Sequence, residues 1–333
     1  MGRYTPGRHA GGSPPLVGYT LTQLAAHQFP ERRPLLVRHE MPVFREGHLG
    51  QIHAERGIGK TWFSMTLALV AASGSDQQIL GFSSPEPCRV LYVDGEMASS
   101  EIQERFALLC DRLKIPAPPT LMVVAADWQP EYLHRLDETS GQEALAPFLA
   151  EADLVILDNR SCLFDPEGEK DASAWQPAQE WLLSLRRAGK AVLVVHHANR
   201  QGGARGHSKA EDPMNLLIKL GRPGDYAQNE GARFEVTFEK ARSACGPAVA
   251  PFVARLSEEG WRIESACQHR EDALIERLVA YVREADQAGE RPKSANAAIR
   301  GAGVNRTTGL KAWNAAKVQG RITPGAGGGW VAK

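Results

Sequence analysis

Residues 49–61 read LGQIHAERGIGKT, a short mostly apolar run, a tight glycine-containing turn, and then Gly59-Lys60-Thr61. A strand that runs through such a turn into Gly-Lys-Thr at a helix start is the P-loop layout. Phosphate binding there needs backbone N–H groups turned inward, a Lys that reaches the β- and γ-phosphates, and a hydroxyl for Mg²⁺. Gly57, Ile58, Gly59, Lys60, Thr61 and Trp62 are the residues expected to close around ATP. Ala54 stands where the GxxxxGK[ST] pattern has its first glycine, so the first turn has to be one that alanine tolerates. The alternative is a chance glycine-rich turn.

Working outward, short apolar runs alternate with helical stretches. RVLYVD (89–94), TLMVVAA (120–126), LVILD (154–158) and AVLVVHH (191–197) read as strands. Lys60 to about Ala72, 99–113, 142–150 and 175–187 read as helices, with a short one at 21–27. The strands show no polar alternation, so they predict an α/β fold with a mainly parallel sheet buried on both faces. LLIKL (216–220), 232–242, 251–256 and 260–265 then predict an antiparallel extension of the same sheet.

Two acids fall where phosphate chemistry needs them. Asp158 follows four apolar residues, which places it at the carboxyl edge of the sheet, where it would hold Mg²⁺ beside Thr61. Glu96 follows the strand ending at Asp94 and would act as general base for the attacking water. The plain alternatives are a loop cap at Asp158 and a helix cap at Glu96.

The 333 residues carry zero net charge, but eight Lys/Arg and no Asp/Glu fall in residues 291–333, leaving −8 on the rest. A basic end on an acidic protein is a footprint for a polyanion. Residues 272–284, 294–300 and 306–318 read as three helices, and RITPGAGGGWVAK (321–333) reads as a hairpin. Three helices and a hairpin predict a winged helix whose third helix enters a major groove. Arg306, Thr307, Thr308, Lys311 and Asn314 are expected to face outward and Leu310, Trp313 and Val318 to pack inside. Lys317 and Arg321 are the expected phosphate contacts. Use of this unit for protein contact is the alternative. Five scattered cysteines, no CxxC spacing and no apolar run of about 20 residues predict a cytoplasmic chain without membrane spans or a disulfide framework.

A glutamate on a different strand from the Mg²⁺-side aspartate distinguishes RecA-like ATPases from types that place both acids at one strand end. Over roughly residues 47–265 the chain resembles hexameric replicative helicases of plasmid RepA type and, more distantly, the DnaB and KaiC motors. The resemblance implies a γ-phosphate sensor at His196, with His197 as the alternative, and a single-strand-tracking loop holding Arg200, Arg205, His207 and Lys209. It also implies that Lys240-Ala241-Arg242 is a finger inserted into a neighbouring subunit's site. The expected organisation is a disordered tail (1–15), a linker segment (16–46), a RecA-like ATPase domain (47–268) and a winged helix (270–333), with the boundary within 266–271. The expected activity is that of a homo-oligomeric, hexameric DNA helicase for a plasmid, phage or integrated element, with ATP and Mg²⁺ as cofactors. Expected partners are single-stranded DNA, duplex DNA and a separate primase or initiator. The rival is an ATP-dependent DNA-binding regulator or loader that does not unwind.

Overall fold

The computed structural model describes residues 16–169, 171–197, 210–224, 226–227 and 230–333. The chain forms two units, divided after Arg32. The described part of the first holds helix α1 (Leu21–Ala26), started by a capping box in which Thr20 Oγ1 accepts from the Gln23 amide and the Gln23 side chain accepts from the Thr20 amide.

The second unit begins with β1 (Pro34–Arg38) and β2 (Met41–Arg45), then β3 (Leu49–Ala54), α2 (Lys60–Ser73), β4 (Phe82–Ser83) and β5 (Val90–Asp94). It continues through α3 (Ser99–Leu113), β6 (Leu121–Ala125), α4 (Thr139–Glu151), β7 (Leu154–Asp158), α5 (Arg160–Leu163), α6 (Ala172–Arg187) and β8 (Ala191–His197). Strands β9 (Leu216–Gly221), β10 (Arg233–Ala241), β11 (Phe252–Ser257) and β12 (Gly260–Ser265) follow. The chain ends in α7 (Ala266–Gln287), α8 (Ala295–Gly301), α9 (Arg306–Val318), β13 (Ile322–Pro324) and β14 (Trp330–Ala332).

Nine strands form one sheet in the order β12-β11-β10-β9-β3-β8-β7-β5-β6. The six from β9 to β6 are parallel, and β10 to β12 extend them antiparallel, as the runs of apolar residues predict. Side-chain alternation divides the core between the two faces. Ile52, Tyr92, Ile156, Leu193 and Val195 pack with Phe63 and Leu67 of α2 on one face. Val155, Leu157, Val192 and Val194 pack with Trp175, Trp181 and Leu182 of α6 on the other.

Residues 34–45, expected within a linker, instead form an antiparallel hairpin that pairs with β4 and buries Leu35, Leu36, Val43 and Phe44 in the first-face core. Its connection is two residues, His39 and Glu40, both at positive φ (48° and 62°). Arg38, the last residue of β1, is 3% exposed, donates to the carbonyls of Pro247, Ala248 and Ala250 and stacks 4.6 Å from the Phe252 ring centre. The boundary expected at 266–271 falls within the first turns of a continuous helix. Helix α7 starts at the residue after β12 ends, because ACQHRE has neither Gly nor Pro to interrupt it.

The last three helices and the β13–β14 hairpin share a separate core of Leu278, Val282, Ile299, Trp313 and Ile322, with Trp313 and Trp330 edge to face at 5.3 Å. Ser294 caps α8 by accepting from the Ala297 amide. Arg306, Thr308, Lys311 and Asn314 are exposed on α9, Leu310 is half-buried and Trp313 buried. Val318 is 89% exposed and not packed inside, because it is the final residue of α9.

Candidate active site

The loop after β3 carries two glycines with φ of 73° (Gly57) and 120° (Gly59), values that only glycine adopts without strain. A Cβ on Gly59 would also stand 2.9 Å from the Phe234 ring. Ala54 needs no such freedom: it is the last residue of β3, in strand register with His197. Lys60 is 7% exposed, and its Nζ donates to the carbonyls of Ala54 (3.2 Å) and Glu55 (3.0 Å). Burial lowers its pKa to about 8.

Strand parity delivers the acids to the same place. Asp158 at the end of β7 and Asp94 at the end of β5 both point to the α2 face, paired across the strands. The Asp158 carboxylate accepts from the hydroxyls of Tyr92 (2.7 Å), Ser64 (3.2 Å) and Thr61. Burial nonetheless pushes its pKa up. Asp94 is held by the amides of Glu96 and Met97, which shapes the turn carrying Glu96, and burial raises it to about 6. The Glu96 carboxylate accepts a bond from the Asn159 side-chain amide and lies 3.8 Å from His197 Nε2. A cavity of about 530 Å³ is lined by Arg56, Gly57, Gly59, Lys60, Thr61, Trp62, Asp94, Glu96, Arg105, Asp158, Asn159 and His197. Arg105 covers the Trp62 ring at 5.2 Å along one wall.

The donor set fits a Mg²⁺–nucleoside triphosphate. It offers a buried ammonium with no carboxylate in ion-pair range among the described residues, a cradle that side chains would fill, and a carboxylate beside a helix-start hydroxyl.

The sequence-expected residues Gly57, Gly59, Lys60, Thr61, Trp62, Glu96 and Asp158 therefore converge, with Ile58 buried beneath the loop. His196 does not join them. It is fully buried and, by alternation with Val192 and Val194, faces away from α2, whereas His197 reaches the cavity. Lys240 and Arg242 also lie outside the cavity. Lys240 Nζ donates to the carbonyls of Glu211 and Asp212, and Arg242 donates to that of Asp212. Arg200, Arg205, His207 and Lys209 lie outside the described residues. Of the expected DNA contacts, Arg306 and Lys311 are exposed, and Lys317 places its ammonium 5.0 Å over the Trp330 ring. Arg321 is instead held by both oxygens of Glu276, a partner 45 residues away that spacing could not reveal.

Ser64 and Tyr92 belong to none of the motifs read from the sequence, and Asn159 is the residue that follows Asp158. Ser64 lies one helical turn after Thr61 and Tyr92 two residues before Asp94 on the same face, so periodicity counted from those two residues was the available signal.

Comparison of the sequence with curated proteins returns no match. In structure the chain is similar to a KaiC-like protein from the hyperthermophilic archaeon Pyrococcus horikoshii OT3, with 14% sequence identity and a TM-score of 0.48 over 71% of this chain and 100% of that one. A family model described as an AAA domain matches residues 17–203, which span more than half of the chain and include the P-loop, Glu96, Asp158 and both histidines. The chain belongs to the AAA domain family of P-loop ATPases.

Proposed function

We propose that the protein is an ATP-hydrolysing, homo-oligomeric DNA motor of RecA-like type, with the three C-terminal helices and hairpin acting as a winged helix on duplex DNA. The observation that carries hydrolysis is the position of Glu96. Its carboxylate is held by Asn159 and approached by His197, and it lines the same cavity as Lys60, Thr61 and Asp158.

In this reading Lys60 and the Gly57–Gly59 cradle bind the phosphates, while Thr61 and Asp158 hold Mg²⁺, which supplies charge neutralisation when bound. Asn159 orients Glu96 so that one carboxylate oxygen can accept a proton from the attacking water. His197 takes the sensor role expected of His196, since a shift of Glu96 would be felt at the tip of β8, where residues 198–209 begin. Lys240 and Arg242 act on a neighbour's nucleotide, a reading suggested by the resemblance of Lys240-Ala241-Arg242 to a trans-acting finger and compatible with a cavity lining that does not include them.

The DNA reading is supported by the acid-free stretch from Arg291 to Lys333 and by the outward row of Arg306, Thr308, Lys311 and Asn314. Steady-state ATP hydrolysis with and without single-stranded DNA is the test, with Glu96→Gln as control. Stimulation of at least about tenfold, lost in Glu96→Gln, supports a strand-tracking motor. Slow turnover indifferent to single strands would leave an ATP-gated DNA-binding regulator.

A further inference from the structure

Strand β10 does not keep a regular alternation to its end. Phe238 pairs with Ile218 of β9, but Leu217 pairs with Lys240, so Glu239 is one extra residue in the strand. A bulge of this kind re-aims every side chain beyond it. Phe238 and Ala241, three residues apart, both pack into the core on the α2 face. Lys240 sits opposite Leu217, which belongs to the core on the other face. In an unbroken strand Lys240 and Arg242 would share the face of Phe238 and be driven into the core.

The bulged residue has a specific anchor. Glu239 Oε2 lies 2.8 Å from Nε2 of His53, and Lys219 is 3.9 Å away from the other oxygen. His53 is 1% exposed on β3, immediately before Ala54 and the P-loop. Its Nδ1 has no partner among the described residues, so the bond to Glu239 is the imidazole's one polar attachment there. A ring buried for its own packing would not require a carboxylate from two strands away, and a bulge does not require a histidine.

We infer that His53, acting through Glu239, is a positioning residue that fixes the β10 bulge and thereby aims Lys240 and Arg242 toward the neighbouring subunit's nucleotide. The inference rests on the reading of that pair as acting in trans. It also joins the strand that carries one subunit's P-loop to the strand that serves the next subunit's, two strands along the same sheet.

The test uses full-length protein and mixed oligomers. His53→Leu and Glu239→Ala should lower kcat for ATP by about tenfold to a hundredfold, the range expected of a misplaced catalytic group, with KM changed less than about twofold. His53→Gln, whose amide still donates to Glu239, should recover most of that loss. Lys60→Ala lacks a working P-loop but keeps its own Lys240 and Arg242, so mixing it with His53→Leu or with Arg242→Ala should restore turnover in both. Rescue of Arg242→Ala but not of His53→Leu would show that His53 serves only its own P-loop, overturning the inference while leaving the trans reading intact. Failure to rescue Arg242→Ala would overturn both. Glu239 is substantially exposed, so Glu239→Ala gives the answer even where His53→Leu does not fold.

Discussion

Replacing Lys60 by Met should make the empty protein more stable while abolishing nucleotide binding. Lys60 is nearly enclosed, and burial lowers its ammonium from the ordinary 10.5 to about 8. The unfolded chain keeps the ordinary value, so at neutral pH the fold holds a proton on a group whose surroundings resist it. The gap between the two values corresponds to about 3 kcal/mol. Solvent at the cavity mouth reduces that figure, and Met also forgoes the two hydrogen bonds to Ala54 and Glu55. A net gain of about 1–2 kcal/mol remains. The sign with pH is definite. Between about pH 8 and 10.5 the unfolded chain binds more protons at this site than the folded one, so the wild type gains stability as pH rises. The advantage of Lys60→Met should therefore be full below pH 8 and shrink above it, by up to about tenfold in the folding constant per pH unit. Urea unfolding followed by tryptophan fluorescence, without nucleotide, at pH 7 and about pH 9.5 reads both quantities. A variant less stable than wild type at pH 7, or a difference unchanged between the two pH values, would refute the reasoning.

Four other substitutions test separate parts of the structure. Tyr92→Phe removes a 2.7 Å hydroxyl bond to the buried Asp158 carboxylate and should cost about 1.5–3 kcal/mol in urea unfolding, with weaker Mg²⁺ dependence of nucleotide binding. An unchanged midpoint would mean that Ser64 and Thr61 suffice. Arg38→Met leaves three carbonyls without their donor and should destabilise by about 2–4 kcal/mol, measured the same way. Lys311→Ala should weaken duplex DNA binding and lower the slope of log affinity against log salt by about one. Arg321→Ala, whose guanidinium is tied to Glu276, should leave that slope unchanged, as titration across a salt series would show.

What could be read in advance was what local pattern encodes. Strand β7 and helix α3 fall where the apolar run LVILD and the stretch SSEIQERFALLCDRL place them, since each is decided within its own residues. The β1–β2 hairpin escaped because its two-residue turn is His39-Glu40, with none of the Asn-Gly or Asp-Gly signature that a positive-φ pair usually carries. The choice between His196 and His197 depended on which face of β8 meets α2, a fact that two consecutive buried histidines do not reveal. Arg321 reads as a free cation until Glu276 is folded against it. The bulge at Glu239 is equally hidden, because Phe238-Glu239-Lys240-Ala241 fits an ordinary strand end as well as an interrupted one.

The direct passage from β12 into α7 has a mechanical consequence. Twenty-two residues rising about 1.5 Å each form a rod of about 33 Å. A tether of the same residues would let the terminal body wander independently of the sheet, but a rod behaves as a pointer. A tilt of about one degree at its root moves the far end by about half an ångström and carries α9 and the hairpin with it, since both pack along the helix from Ile275 to Val282.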